Sequence, residues 1–173
     1  MRKLKSIILL FSVSLFLFNC NNDDEMVIPL PTGNSVTYDL STKAVAGISG
    51  TATFVENSDA SVTILLDISG TPAGGSHPAH IHFNTAAEGG DIALSLEPVN
   101  GDTGKSEITV SALNDGTAVT YNQLLNFDGY INVHLSASDL GTIVAQGDIG
   151  QNDLTGMTKT YDLGSKAVAG ISG

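Results

Sequence analysis

From Ser35 onward the chain consists of short runs rich in β-branched residues, separated by Gly, Asn, Asp or Ser. No apolar repeat of 3.6 residues persists beyond a turn or two, and such runs between turn residues are typical of strands. The predicted strands lie near 35–40, 43–55, 60–69, 79–84, 91–97, 105–112, 129–136 and 142–149. The stretch from Tyr121 to Asn126 is the single helical candidate. The pattern predicts one all-β domain, an antiparallel β-sandwich or flattened barrel, with a core mainly of Val, Ile, Leu and Ala.

The N-terminus has the pattern of a secretory signal peptide. Arg2, Lys3 and Lys5 precede a mostly apolar run, 7–18, as the charged and hydrophobic regions of such a signal do. A transmembrane helix needs about 20 apolar residues, so this run is too short to be a spanning anchor. We therefore expect residues 1–19 to be an export signal.

The signal ends at Cys20, the only cysteine of the chain. The four residues from Leu17 to Cys20 resemble a lipobox, although Asn19 stands where Gly, Ala or Ser is usual. The resemblance implies cleavage before Cys20 and lipidation of its thiol, with the lipid as the membrane anchor. We expect an exported lipoprotein at the outer membrane or cell surface, with a periplasm-facing position as the alternative.

Residues 20–34 are predicted to be a tether, because they are acidic, interrupted by proline and have little to bury. The acidity directly after Cys20 resembles the surface-export signals of lipoproteins in the Bacteroidetes group. A solvated linker is the alternative.

The part of the chain after the signal is strongly acidic. It contains four Lys, no Arg and all 18 acidic residues, which gives a formal net charge of −14. A nucleic-acid-binding protein needs a basic surface, so that class of function is excluded. An anionic membrane surface would also repel this domain, which leaves the lipid as the attachment.

A sequence repeat links the first predicted strand to the C-terminus. Residues 37–50 recur as 160–173, identical at 12 of 14 positions and 123 residues further on. Residues 151–173 are therefore predicted to be a linker and the first strand of an incomplete second repeat. Two alternatives stay open: a loosely ordered stub of a truncated product, or strand-exchanged self-association in which 160–173 takes the place of 37–50 in a neighbouring molecule.

The histidines are the best candidates for chemistry. Three of the four lie within 77–82, and the fourth is His134. Because side chains alternate along a strand, His80 and His82 are predicted on one face and Ile81 on the other. The apolar residues on either side of His134 place it on the polar face of its own strand.

Two imidazoles two residues apart, with a third from another strand, form a rigid nitrogen donor set suited to copper or zinc. His80, His82 and His134 are the candidate metal ligands on this basis. Histidines that only donate hydrogen bonds to loop carbonyls would give the same pattern, and this alternative stays open.

Residues 35–150 resemble the CHRD domain, a family first described in chordin. The matching segments are Pro-Ala-His-Ile-His at 78–82, Gly-Gly-Asp at 89–91 before the strand 92–96, Leu-Leu at 124–125, Gly-Tyr-Ile-Asn-Val-His at 129–134, and Gly-Thr-Ile-Val-Ala-Gln-Gly-Asp-Ile at 141–149. The resemblance implies a Greek-key antiparallel β-sandwich of the immunoglobulin-like or superoxide-dismutase-like kind. It implies little about activity.

A more distant resemblance is to copper/zinc superoxide dismutases. Residues 77–82 are similar to that family's His-Gly-Phe-His-Val-His segment, and 132–134 with 138–141 are similar to its Val-Val-His ligand and the Asp-Asp-Leu-Gly that follows. The resemblance implies that His80, His82 and His134 are copper ligands and that His77 is structural or an accessory ligand. The bridging histidine, the zinc loop, the disulfide and the guiding arginine of that family have no counterpart, so we expect no zinc site.

Three functions follow as hypotheses. The first is a non-enzymatic, lipid-anchored CHRD-type module with a copper-binding histidine site and a protein partner that the sequence does not identify. The second is a copper-only, superoxide dismutase-like redox enzyme, which the net charge disfavours because superoxide is an anion. The third is a copper sequestration or delivery protein. No catalytic residue is assigned.

Overall fold

A computed structural model describes residues 29–153 of the chain. The predicted signal peptide, the lipidation residue Cys20, most of the tether and the repeat copy at 160–173 lie outside these residues. Within the described range, no helix has the length and apolar character needed to cross a membrane.

The described residues form eight strands and one short helix. In chain order they are β1 (Pro31–Thr42), β2 (Ser49–Asn57), β3 (Val62–Ser69), β4 (Ser76–Phe83), β5 (Ile92–Asn100), β6 (Lys105–Val110), α1 (Tyr121–Leu125), β7 (Asp128–Ser136) and β8 (Asp139–Gly150). Every pair of neighbouring strands is antiparallel. The predicted all-β class, the eight strands and the helical turn after Tyr121 are confirmed.

Two predicted boundaries differ at the N-terminal end. β1 begins at Pro31, so the range assigned to the tether overlaps the strand at residues 31–34. The strand predicted over 43–55 was wrong at its start, because 43–48 form a loop and β2 begins at Ser49. Gly47 has a φ of +86°, a left-handed conformation that interrupts the extended chain although the apolar alternation continues through it.

The sheet closes into a barrel with the strand order β1-β2-β3-β6-β5-β4-β7-β8. Two of its seams are short. β5 pairs with β6 only at Asn100 and Lys105. β1 pairs with β8 at Ser41↔Gln146 and Thr42↔Ala145, and the seam continues through backbone hydrogen bonds from Lys43 and Ala44. These seams divide the barrel into two four-stranded halves, β1-β2-β3-β6 and β5-β4-β7-β8.

Aliphatic side chains fill the space between the halves, as predicted. Alternate residues of β3, from Val62 to Ile68, are buried, and they belong to the same core cluster as Ile81 of β4 and Ile131 of β7. Phe54 is the one phenylalanine of the described residues that is fully buried, and its ring packs edge-on against Tyr38 at 5.2 Å. Each such aliphatic side chain contributes about 1.5–3 kcal/mol when buried.

Candidate metal centre

Strand β4 separates its histidines by alternation. His77, Ala79 and Ile81 are buried on the core side, whereas His80 and His82 are half-buried on the outer side. The sequence predicted this arrangement, with His80 and His82 on one face of the strand and Ile81 on the other.

Strand β7 brings the fourth histidine to the same outer face. It pairs with β4 so that His80 faces Asn132 and His82 faces Tyr130. His134 follows Asn132 by two residues, and its ring centroid lies 5.0 Å from that of His80. The ring centroids of His80 and His82 are 5.9 Å apart. The pairing of two strands distant in sequence thus gathers the three predicted ligands, His80, His82 and His134.

The nitrogens of the trio are close enough to share a metal ion. His80 Nδ1 lies 3.1 Å from His134 Nε2, and one ring nitrogen from each histidine lies within 4.8 Å of the others. Imidazole nitrogens bind a metal at about 2.0–2.1 Å, so two of them can be at most about 4.2 Å apart. A pair at the full 4.8 Å would have to close by at least about 0.6 Å to meet this limit.

Backbone carbonyls determine which nitrogens are available. His82 Nδ1 lies 2.9 Å from the Gly90 oxygen, and His134 Nδ1 lies 2.7 Å from the Leu140 oxygen. A carbonyl only accepts, so both Nδ1 atoms carry the proton and both Nε2 atoms keep a lone pair. Histidine ligands are ordinarily held by such a hydrogen bond from the second nitrogen.

His82 Nε2 provides a test of whether the trio suits a metal. This atom is buried, and within residues 29–153 it has no hydrogen-bond partner. A buried lone pair without a partner is costly, and coordination of a metal would satisfy it. The three donors also include no carboxylate or thiolate, so the set suits a metal that prefers imidazole.

The protonation of the trio favours metal binding. Burial lowers the pKa of His80, and the neighbouring His134 and His82 lower it further. Burial also lowers the pKa of His134, although the hydrogen bond to Leu140 partly opposes this. Both rings are therefore neutral at pH 7, which is the form that coordinates metals.

The hairpin between β7 and β8 orients the carbonyl that holds His134. Ser136 pairs with Asp139 across this tight turn. The Asp139 carboxylate accepts hydrogen bonds from the Thr142 amide at 3.1 Å and from its hydroxyl at 2.9 Å. These bonds brace the start of β8, where the carbonyl oxygen of Leu140 accepts from His134 Nδ1.

His77 has a different environment from the trio. It is 1% exposed, and its Nδ1 lies 3.3 Å from the backbone oxygen of His134. It is not part of the group of nitrogens that lie within 4.8 Å of one another. His77 therefore links β4 to the backbone of β7 behind the trio.

Sequence reasoning missed the residues that support the ligands. Tyr130 stacks on His82 with ring centroids 4.9 Å apart and an interplanar angle of 15°, while Gly90 and Leu140 contribute backbone oxygens. Gly90 and Tyr130 lie in the segments that resemble the CHRD family, but which strands pair could not be derived from the sequence.

No protein-family model matches this chain, and no curated protein matches it. Its function is therefore inferred from the geometry of the site and from the sequence.

Proposed function

We propose that this chain is an exported, lipid-anchored module of the CHRD type whose three-histidine site binds copper. The observation that carries the proposal is the convergence of His80, His82 and His134 on the outer face of β4 and β7. Hydrogen bonds to carbonyls leave the Nε2 lone pairs of His82 and His134 available, and that of His134 lies 3.1 Å from His80 Nδ1.

The order of the strands supports the proposed fold. Strands β4, β5 and β6 follow one another and β7 returns to lie beside β4, an order compatible with a Greek key. The two facing halves are consistent with a sandwich of the superoxide-dismutase-like kind. The segments that resemble CHRD domains at 78–82 and 129–134 are those that contribute the three ligands.

The donor set favours copper over other common metals. Three neutral imidazoles suit copper and zinc, and Cu²⁺ has the higher affinity of the two for a given nitrogen site. Three protein ligands also leave a bound ion with a position for water or a small molecule. The side chains of His80 and His82 are only half-buried, although the Nε2 atom of His82 is itself buried.

A copper-only redox enzyme is the second candidate, and the access of solvent to His80 and His82 is the observation that favours it. The charge opposes it, because the chain after the predicted signal has a formal net charge of −14 and no arginine, and such a protein repels superoxide. Copper sequestration or delivery is the third candidate, since it needs only the binding site. We propose the non-enzymatic module first for these reasons.

The membrane attachment is proposed from the sequence alone. Cys20 would be the lipidated residue, and the first strand begins at Pro31. The intervening residues span at most about 40 Å when fully extended, so the tether would keep the barrel close to the membrane surface.

Titration of the apo protein with Cu(II) tests the proposal. We expect a visible d–d band and an axial electron-spin-resonance spectrum, both lost in the double variant His80→Ala/His134→Ala. The variant His77→Gln is the matched control, because His77 lies on the other face of β4 and should leave both signals in place.

Wild-type protein that binds copper no more tightly than a surface histidine does would refute the metal site. Superoxide turnover by the loaded protein separates the enzyme from the two binding functions. Fast turnover would favour the enzyme, and its absence alongside tight binding would favour the module or the carrier.

A further inference from the structure

We infer that Tyr130 is the positioning residue for the metal ligand His82, acting through its ring and through Gly90. This inference rests on the proposed metal-binding function. It adds a residue that does not itself reach the metal but sets how one ligand is presented to it.

The first contact is a stack across two strands. Tyr130 and His82 are paired in register between β7 and β4, and their rings lie nearly parallel with centroids 4.9 Å apart. A flat ring against the imidazole resists its rotation out of that plane. Tyr130 is only 5% exposed although it is on the outer face of the sheet, so the stack is well covered.

The second contact runs through the backbone of Gly90. Its amide N–H donates to Tyr130 Oη at 3.3 Å, and its carbonyl accepts from His82 Nδ1 at 2.9 Å. Tyr130, Gly90 and His82 therefore form a closed cycle of two hydrogen bonds and one ring stack. The tyrosine hydroxyl holds Gly90 through its amide, and the carbonyl of the same residue holds the imidazole.

Gly90 is held in place by its surroundings. A Cβ at this position would lie 2.1 Å from the Phe83 backbone oxygen, so the loop passes too close to β4 for any side chain. The loop is also fastened by the Asn84 side-chain amide, which donates to the Gly89 oxygen at 2.8 Å. The carbonyl of Gly90 is thus a rigid acceptor.

His82 is the ligand that needs such support most. The β4–β5 register shifts between Ile81 and His82, so the ladder is irregular at this ligand. By comparison, His134 is 5% exposed and anchored by Leu140, and His80 lies against His134. The plane and tautomer of His82 depend on Tyr130 and Gly90, and these determine whether its Nε2 faces the other two nitrogens.

The test compares Tyr130→Phe and Tyr130→Leu in the detergent-solubilised full-length chain. Competition against a chelator measures Cu(II) affinity, and ¹⁵N NMR of the apo protein reports the tautomer of His82. We expect Tyr130→Leu to weaken binding about 10- to 100-fold, as loss of a supporting partner does, and to mix the His82 tautomers. Tyr130→Phe keeps the ring but loses the hydroxyl, so its Cu(II) affinity should fall about two- to tenfold, the effect of one hydrogen bond.

Tyr121→Leu is the matched control, because Tyr121 is also a buried tyrosine but lies on α1. It should leave Cu(II) affinity and the His82 signals unchanged. Equal losses in the Tyr121 and Tyr130 variants would overturn the inference, and so would full affinity with an unchanged tautomer in Tyr130→Leu. If Tyr130→Leu does not fold, an unchanged Tyr130→Phe overturns it.

Failure of this inference can be distinguished from failure of the proposed function. Wild-type protein that does not bind copper refutes the function. The tautomer measurement on the apo variants still decides whether Tyr130 positions His82.

Discussion

His80 Nδ1 and His134 Nε2 lie 3.1 Å apart, a hydrogen bond between imidazoles of two different strands. The proton of this bond belongs to His80, because the Nδ1 proton of His134 is already donated to Leu140. In the apo protein this bond keeps the two rings together. The two ligands are therefore gathered in the apo protein. For both atoms of this bond to coordinate copper, the Nδ1 proton of His80 would have to be released or move to its Nε2.

The stability of the apo protein should fall as the pH drops below about 6.5. The folded-state pKa values of His80 and His134 are lowered, chiefly by burial, so folding favours the neutral rings. The two neutral rings contribute fully to the free energy of unfolding above the unfolded-state pKa of about 6.5. This contribution is lost as the pH falls toward their lowered folded-state pKa values. Denaturant unfolding between pH 8 and pH 5 measures this. The double variant His80→Gln/His134→Gln should show a flatter dependence, and an identical slope in both proteins would refute the prediction.

Gly90→Ala should destabilise the fold by about 3 kcal/mol, at the upper end of overpacking costs. The added Cβ would lie 2.1 Å from a backbone oxygen, which cannot move as a flexible side chain can. Gly89→Ala is the control. Its φ of +76° is unfavourable for alanine, but no atom lies within 4 Å of the new Cβ, so we expect about 1–2 kcal/mol. Chemical denaturation measures the free energy of unfolding of both variants. Equal losses in Gly89→Ala and Gly90→Ala would contradict the prediction that the close approach of Gly90 to the Phe83 oxygen constrains this loop.

Phe54→Ala should cost about 3–5 kcal/mol, because it opens a cavity in the middle of the core. Phe54 is 0% exposed and packs against Tyr38. Phe83→Ala removes the same side chain from a position that is 39% exposed. We expect it to lower the free energy of unfolding by about 1 kcal/mol or less. Urea midpoints of the two variants give the comparison. A small loss for Phe54→Ala would mean that the core collapses around the deletion.

If residues 160–173 take the place of 37–50 in a neighbouring molecule, the protein should self-associate. The two positions that differ between the copies correspond to Ser41 and Thr42, which are both exposed in β1. The buried Tyr38, Leu40 and Ile48 are kept in the second copy as Tyr161, Leu163 and Ile171. The second copy therefore has every buried side chain that the position of the first copy requires.

Light scattering across a concentration series tests strand exchange. Larger species should grow with concentration and disappear in Leu163→Asp, because Leu163 corresponds to the buried Leu40. Ser165→Asp should retain them, because Ser165 corresponds to the exposed Thr42. A strict monomer at high concentration would favour the unpaired stub instead.

The sequence was sufficient for features that depend on local periodicity. The two-residue period placed His80 and His82 on one face, and the turn residues marked the eight strands. Features that depend on non-local pairing could not be derived in this way. Nothing near Tyr130 in the sequence indicates that its partner is His82, 48 residues earlier, because that contact exists only once β7 pairs with β4. The loop 43–48 was missed because the alternation of apolar residues continues through Gly47 and so indicates a strand. Only the left-handed backbone conformation of Gly47 interrupts the strand there.

The short seam between β1 and β8 has a mechanical consequence. If the residues before Pro31 tether the chain to a membrane as proposed, a pull along them reaches β1 first. β1 pairs with β8 over a short stretch, which backbone hydrogen bonds from Lys43 and Ala44 extend. The ligands lie on β4 and β7, in the other half of the barrel, so such a pull would load β1 and this seam before the strands that carry the histidines.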